Sequence, residues 1–252
     1  MRYALRWLVS LIFVVQMYAA MAVLALVFTP LAIFSRAWVY RAVHSYCRWV
    51  RWTARWMVGL RSEVRGTPPT EEVLIAAKHQ SFFDIILIVS AVPKPKFIMK
   101  SSLRYAPILG WYALRLGCVA VDRGRRAEAI RQMQRGVLDG TAPAGQLIIY
   151  PQGTRVAPGA HIPYKVGISV LYRETGQTVV PAATNVGVFW PRTGIYRKPG
   201  LAVVEFLDPI PPGLPQRDLL TRLEREIEGR SDALMREAGF DPDTAGSEGA
   251  AR

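Results

Sequence analysis

The chain has 252 residues, enough for one large domain or one domain with appendages. Its 32 Lys and Arg against 19 Asp and Glu give a formal net charge of +13, which suits a polyanionic partner: nucleic acid, an anionic membrane surface or a phosphorylated substrate. Two cysteines without a Cys-x-x-Cys pair, three histidines without His-Glu-x-x-His, and the lack of Walker A, Gly-x-Gly-x-x-Gly and Gly-x-Ser-x-Gly sequences argue against zinc sites, P-loop enzymes, dinucleotide binders and serine hydrolases.

In chain order, Trp7 to Ser35 contains no charged residue. About 20 apolar residues cross a bilayer as a helix, so this run predicts a retained anchor rather than a cleaved leader, with Pro30 positioned to stop or bend it. Only Arg2 and Arg6 precede the run, whereas Arg36, Arg41, Arg48, Arg51, Arg55, Arg61 and Arg65 follow it. That asymmetry predicts an inner-membrane protein with its body on the cytoplasmic side. A hairpin dipping into one leaflet fits the same pattern. Residues 37–60 read as a second membrane element. Arg41, Arg48, Arg51 and Arg55 form a helical stripe interleaved with Trp38, Tyr46, Trp49, Trp52 and Trp56, as suits the headgroup layer. The alternative is a helix covering the body with its aromatics turned inward.

The remainder predicts an α/β fold: a central, mostly parallel sheet flanked by helices, with the N-terminal membrane-associated helical segment ahead of it. Expected strands are Val73–Ala77, Val119–Val121, Gln146–Tyr150, Thr178–Ala182 and Ala202–Leu207, and expected helices are Phe83–Ala91, Arg126–Asp139, Lys165–Thr175 and Arg217–Ala238. Pro191–Gly200 reads as a hairpin tip. The chain thus divides into an anchor with a basic amphipathic interfacial helix (1–65), a catalytic domain (66–240) and a disordered tail (241–252).

The chemistry-bearing residues lie at predicted strand ends. His79 follows the first of these strands on a loop, and Asp84 falls in the first turn of the next helix. There Asp84 is either the acidic member of a capping box with Ser81 or the partner that fixes the imidazole tautomer. A continuous helix would set the two about 140° apart, so the second role needs a bend between them. Gly117 to Arg123 is an apolar run ending in a charged pair, and Pro151-Gln152-Gly153-Thr154-Arg155 ends another strand. Arg123 and Arg155 are suited to gripping phosphate, Gly153 permits close backbone approach, and Val180-Pro181 supplies a pocket wall or an ordinary core strand.

Taken in order, these segments resemble the four motifs of the glycerolipid acyltransferase family, specifically 1-acylglycerol-3-phosphate acyltransferases of the PlsC type, over roughly residues 70–210. His79 and Asp84 match His-x4-Asp, Gly117–Arg123 the second motif, Pro151–Arg155 the Pro-Glu-Gly-Thr-Arg, and Val180-Pro181 the fourth; Phe97–Lys100 resembles a basic segment between the first two. Two residues depart from the pattern: Gln152 stands where Glu is usual, and Lys78 adds positive charge beside the histidine.

The resemblance implies transfer of a fatty acyl group from acyl-CoA or acyl-carrier protein to the 2-hydroxyl of lysophosphatidic acid, in phospholipid biosynthesis. His79 and Asp84 would be catalytic. Arg123, Gly153, Thr154, Arg155 and Lys100 would hold the substrate phosphate, and Gln152, Gly117 and Pro181 would line the substrate pocket. No metal and no cofactor is implied; the partners are the lipid, the acyl donor and the membrane surface, not nucleic acid. Gln152 leaves open lyso-ornithine lipid, another lysophospholipid or glycerol 3-phosphate as acceptor. A thioester hydrolase and a membrane-anchored nucleic-acid-binding protein are the alternative readings.

Overall fold

A computed structural model of the chain describes residues 2–122 and 143–244, together with 128, 131, 135 and 137. Seven strands form one sheet: β1 (Leu60–Arg65), β2 (Leu74–Ala77), β3 (Pro95–Lys100), β4 (Val119–Val121), β5 (Gln146–Ile149), β6 (Val179–Thr184) and β7 (Gly200–Phe206), in the order β1-β7-β6-β2-β5-β3-β4. Every neighbouring pair is parallel except β6–β7. The mostly parallel α/β sheet expected from the sequence is therefore present. β2 and β5 are buried on both faces and apolar but for Gln146 at the start of β5, as central parallel strands should be.

Helices cover both faces. Those N-terminal to β3 are α1 (Arg2–Phe34), α2 (Arg36–Thr53) and α3 (Phe82–Ala91); α4 (Leu109–Leu116), α5 (Gly167–Thr175) and α6 (Gln216–Glu237) follow. One face packs Ile75 and Ala77 of β2 with Phe13, Met17, Val50, Phe83, Leu87 and Trp190. The other packs Leu74 and Ala76 with Ile168, Leu171, Leu219, Leu223 and Ile227. This alternation along β2 continues beyond its end. His79 goes to the face of α3, and Lys78 goes to the face of α6.

α1 runs unbroken through Pro30 to Phe34, so the proline neither stops it nor ends it. Instead the Nη2 atom of Arg115 in α4 donates to the carbonyls of Ala32 and Ile33, each at 2.6 Å, supplying donors and positive charge to the helix end. The chain reverses at Ser35, whose Oγ caps α2, and α2 folds back along α1: Phe28 packs on Trp38, and Gln16 bonds both Thr53 and Trp49. α1 rests on the body over much of its length. Phe13 meets Trp190 at 5.5 Å, and Ala25 and Ala32 join Tyr112 and Leu116 of α4. Its outer face, with Leu8, Ile12, Val15, Val23, Leu26 and Val27, is exposed, and by length and composition this helix is able to cross a membrane.

The second membrane element expected over 37–60 ends earlier and in two parts. α2 passes into a π-helical turn, Ala54–Val58, and Leu60 already begins β1, which pairs with β7 from Leu60↔Gly200 to Arg65↔Glu205. Residues 60–65, grouped with the anchor on sequence, are thus an edge strand of the sheet. Trp49, Trp52 and Trp56 point outward, so an inward-turned aromatic face holds only for Trp38 and Tyr46. Arg51 leaves the exposed stripe and turns inward to the hydroxyls of Ser62 and Ser90 at 3.0 and 2.8 Å. Leu103, Tyr105, Leu109, Trp111 and Leu114, around α4, are also exposed. The segment Pro191–Gly200 does lie between the antiparallel β6 and β7, packed under α1 through Arg197 N to Ser10 Oγ at 3.0 Å. Asp241 and a short helical turn at 242–244 are described; the rest of the expected tail, and most of the expected helix 126–139, lie outside the described residues.

Candidate active site

The site forms where β2, β3 and β5 end, the edge at which open α/β sheets receive ligands. Ser81 is extended (φ −150°, ψ 175°) and caps α3, so His79 sits before the helix while Asp84 occupies its third position. That break supplies the bend the pair required. The imidazole Nδ1 lies 3.0 Å from Asp84 Oδ1 and 3.2 Å from Oδ2. Oδ2 also accepts the backbone N–H groups of Ser81 (2.7 Å) and Gln80 (2.8 Å). Both roles weighed for Asp84 are therefore filled at once: it closes the capping box and it holds the histidine.

The consequences are chemical. Asp84 is fully buried and has only acceptor atoms when ionised, so Nδ1 must carry the proton it shares with Asp84. Nε2 is then the basic atom, and among the described residues it has no hydrogen-bond partner. The imidazole is 12% exposed. It lies flat against Tyr150, with ring centroids 3.9 Å apart and planes 18° from parallel. Tyr150 also points its hydroxyl at Asp84 Oδ1, 3.4 Å away. Burial first, then the Asp84 carboxylate, push the Tyr150 phenol well above its ordinary value, which keeps it a donor. Tyr150 opens the Pro-Gln-Gly-Thr-Arg segment, but nothing in the sequence distinguished it from a strand-ending aromatic.

The loop after β5 is tied to the histidine loop through main chain. Val156 N donates to His79 O at 2.7 Å, and Gly153 N donates back to Tyr150 O at 2.8 Å. Gly153 needs its glycine: φ is +70°, and a Cβ there would stand 2.6 Å from Lys165 Nζ. Thr154 and Arg155 are partly exposed on this loop. Arg155 is close enough to exert a charge effect on Tyr150, and it exchanges bonds with Arg192: its Nη1 donates to Arg192 O (3.1 Å), and Arg192 Nη1 donates to Arg155 O (3.4 Å). Lys165 and Arg192 are thus cations beside this loop that the motif reading passed over.

The other expected site residues divide. Lys100 is exposed at the end of β3. Gly117 is the left-handed C-cap of α4 (φ 84°), a structural turn between α4 and β4. Pro181 is buried within β6, paired with Ala76 of β2. Gln152, expected in the pocket, has its side chain buried and turned to the face of α6, where Nε2 donates to Glu228 Oε1 at 3.2 Å. Lys78 goes the same way and ion-pairs with Glu228, so its charge is directed away from the imidazole. Arg123 lies outside the described residues.

The structure thus places a histidine–aspartate pair at the strand ends of a mostly parallel sheet, beside a cationic loop. Residues 61–185, just under half of the chain, match the Acyltransferase family model. Over 160 residues it is 30% identical to the 1-acyl-sn-glycerol-3-phosphate acyltransferase of Pseudomonas aeruginosa, a match covering 63% of this chain and 62% of that one. The enzyme of that name from Saccharomyces cerevisiae is 26% identical over 193 residues, 74% of this chain and 63% of its own. The aligned region therefore spans somewhat under two thirds of either relative. The crystal structure of the 1-acyl-sn-glycerophosphate (LPA) acyltransferase PlsC from Thermotoga maritima superposes with a TM-score of 0.75 at 22% identity, covering 93% of this chain and 98% of that one, and so shares the fold.

Proposed function

We propose that the protein is a 1-acylglycerol-3-phosphate O-acyltransferase, and the observation that carries this reading is His79, held through Nδ1 by Asp84, with no partner for its Nε2 among the described residues. The acceptor's 2-hydroxyl loses its proton to Nε2 as its oxygen attacks the thioester carbonyl of acyl-CoA or acyl-carrier protein. A C–O bond forms, the C–S bond breaks, and the proton passes from the imidazolium to the departing thiolate. Asp84 stabilises the imidazolium and, being bound by two backbone N–H groups, does not move. Arg155, with Arg192 and Lys165 beside its loop, suits the acceptor's phosphate, with Lys100 a further candidate; a forked guanidinium matches that group best. The transfer is direct and calls for no acyl-enzyme, metal or cofactor.

The lipid acceptor explains the exposed apolar surface. The outer face of α1, the indoles of Trp49, Trp52 and Trp56 beside Arg41, Arg48 and Arg55, and the side chains around α4 form an apolar and basic surface. α1 is held against the body at both ends, which favours the in-leaflet hairpin over a single span. In this reading the body faces the cytoplasm at the inner membrane, with its active site at headgroup level.

The test offers purified protein in vesicles labelled acyl-CoA or acyl-carrier protein with lysophosphatidic acid, lyso-ornithine lipid or glycerol 3-phosphate. Label is expected in phosphatidic acid, and His79→Ala should reduce turnover by about 10²–10⁴-fold. Release of free fatty acid with no labelled lipid would instead favour the hydrolase reading.

A further inference from the structure

Beneath the active site, on the opposite face of the sheet, four side chains converge on one carboxylate. Glu228 of α6 pairs with Lys78 through Oε2. Its Oε1 accepts from Tyr164 Oη at 2.8 Å and from Gln152 Nε2 at 3.2 Å. His161 Nδ1 stands 3.2 Å from Oε2 and reaches toward Asp232 with Nε2 at 3.9 Å. Lys78 and Gln152 are each only 1% exposed. Buried groups of this kind are costly unless every member is satisfied, and one carboxylate satisfies most of them here.

What makes the cluster more than a core feature is where its members attach. Lys78 is the residue before His79, the proposed base. Gln152 is the residue before Gly153, on the loop that carries Arg155. The two loops that an acceptor must touch together, one at its hydroxyl and one at its phosphate, are pinned from below to the same two oxygens. Burial and the nearby carboxylate also push the Tyr164 phenol up, so it remains a donor to Glu228. α6 lies outside the segment matched by the family model, which ends at residue 185.

We propose that Glu228 is a positioning residue of this enzyme, which sets the spacing between the His79 base and the Arg155 phosphate arm by holding Lys78 and Gln152 with one carboxylate. The proposal rests on the acyltransferase reading above. It makes a prediction that a purely structural role does not. The acceptor bridges the two loops, whereas the acyl donor need not, so the penalty should fall on the acceptor alone.

The carboxylate can be moved as well as removed. Glu228→Gln leaves Lys78 without its ion-pair partner. Gln152→Glu sets two carboxylates face to face. The double variant Gln152→Glu/Glu228→Gln transfers the single negative charge across the existing hydrogen bond, from α6 to the loop. Each is measured as the full chain in vesicles, with kcat and KM for lysophosphatidic acid and for acyl-CoA, and its melting temperature is recorded. Each single variant is expected to lose at least ten-fold in kcat/KM for lysophosphatidic acid, with KM for acyl-CoA within two-fold of wild type. The double variant is expected to regain most of that loss. Wild-type kinetics in folded Glu228→Gln would overturn the proposal. So would a loss that strikes both substrates in step with melting, or a well-folded double variant that recovers no activity. Wild-type protein that acylates no acceptor would instead refute the acyltransferase reading, while melting of the same variants would still report on the cluster.

Discussion

Asp84 Oδ2 accepts the Ser81 N–H at 2.7 Å while Oδ1 of the same carboxylate lies 3.0 Å from His79 Nδ1. The group that starts α3 is therefore the group that orients the imidazole. Asp84→Asn keeps the shape but places an amide where only acceptors fit, and an N–H facing Nδ1 would favour the other tautomer. Turnover should fall by roughly 10²–10⁴-fold. Because Asn also weakens the cap, stability should fall by about 0.5–2 kcal/mol. Denaturant unfolding and steady-state rates on one preparation separate the two effects.

Tyr150 supports the site in two ways with separable signatures. Tyr150→Phe keeps the ring stacked on His79 and removes a long hydrogen bond to Asp84, so stability should change by about 1 kcal/mol or less and turnover by a few-fold. Tyr150→Ala removes the stacking surface too, and its cost should be about 3–5 kcal/mol. The phenol is held well above its ordinary value, so Tyr150→Phe should leave the pH–rate profile between pH 6 and 9 unshifted. A profile that moves would mean that the hydroxyl titrates during turnover.

Arg155 presents a forked donor, part of which is engaged with Arg192 O. Arg155→Lys retains charge and loses the fork, so KM for lysophosphatidic acid should rise about ten-fold, equivalent to about 1.4 kcal/mol. KM for acyl-CoA should stay put. An equal rise in both would remove Arg155 from the acceptor phosphate.

Trp49, Trp52 and Trp56 are exposed beside basic side chains. Replacing Trp52 and Trp56 with Ser should weaken partition onto vesicles containing anionic lipid by at least about ten-fold, or about 1.4 kcal/mol, with little change in melting temperature, since these two rings are 55% and 72% exposed, whereas Trp49 bonds Gln16. Flotation at low and high salt measures it. Unchanged flotation would place the membrane contact elsewhere, on α1 or around α4.

The parts legible in the sequence are those where one segment carries its own signal. β2 and β5 are apolar on both faces and are flanked by turns, and α3 has a cap followed by an apolar run, so strand, bend and His–Asp pair could all be read locally. β1 was hidden for the opposite reason. Leu60-Arg61-Ser62-Glu63-Val64-Arg65 is an edge strand with a single fully buried residue, and its arginines continue the basic pattern of α2. β3 begins with a proline and alternates weakly, so only its basic character drew notice. Pairings across the chain left no local trace. Glu228 lies 150 positions from Lys78 and reads as one acid among many on a charged helix. The direction taken by Gln152 depends on that contact, so its place in the interior could not be foreseen from the motif alone.

Lys78 and His79 are consecutive, and the pleat of β2 sends them to opposite sides of the sheet. Sliding β2 by a single step between β5 and β6 would exchange them. An ammonium would then occupy the catalytic face, and an imidazole would be driven in among Glu228 and Tyr164. Activity is thus bound to one exact alignment of the middle strand, and length changes in the 66–73 connection leading into it should be poorly tolerated.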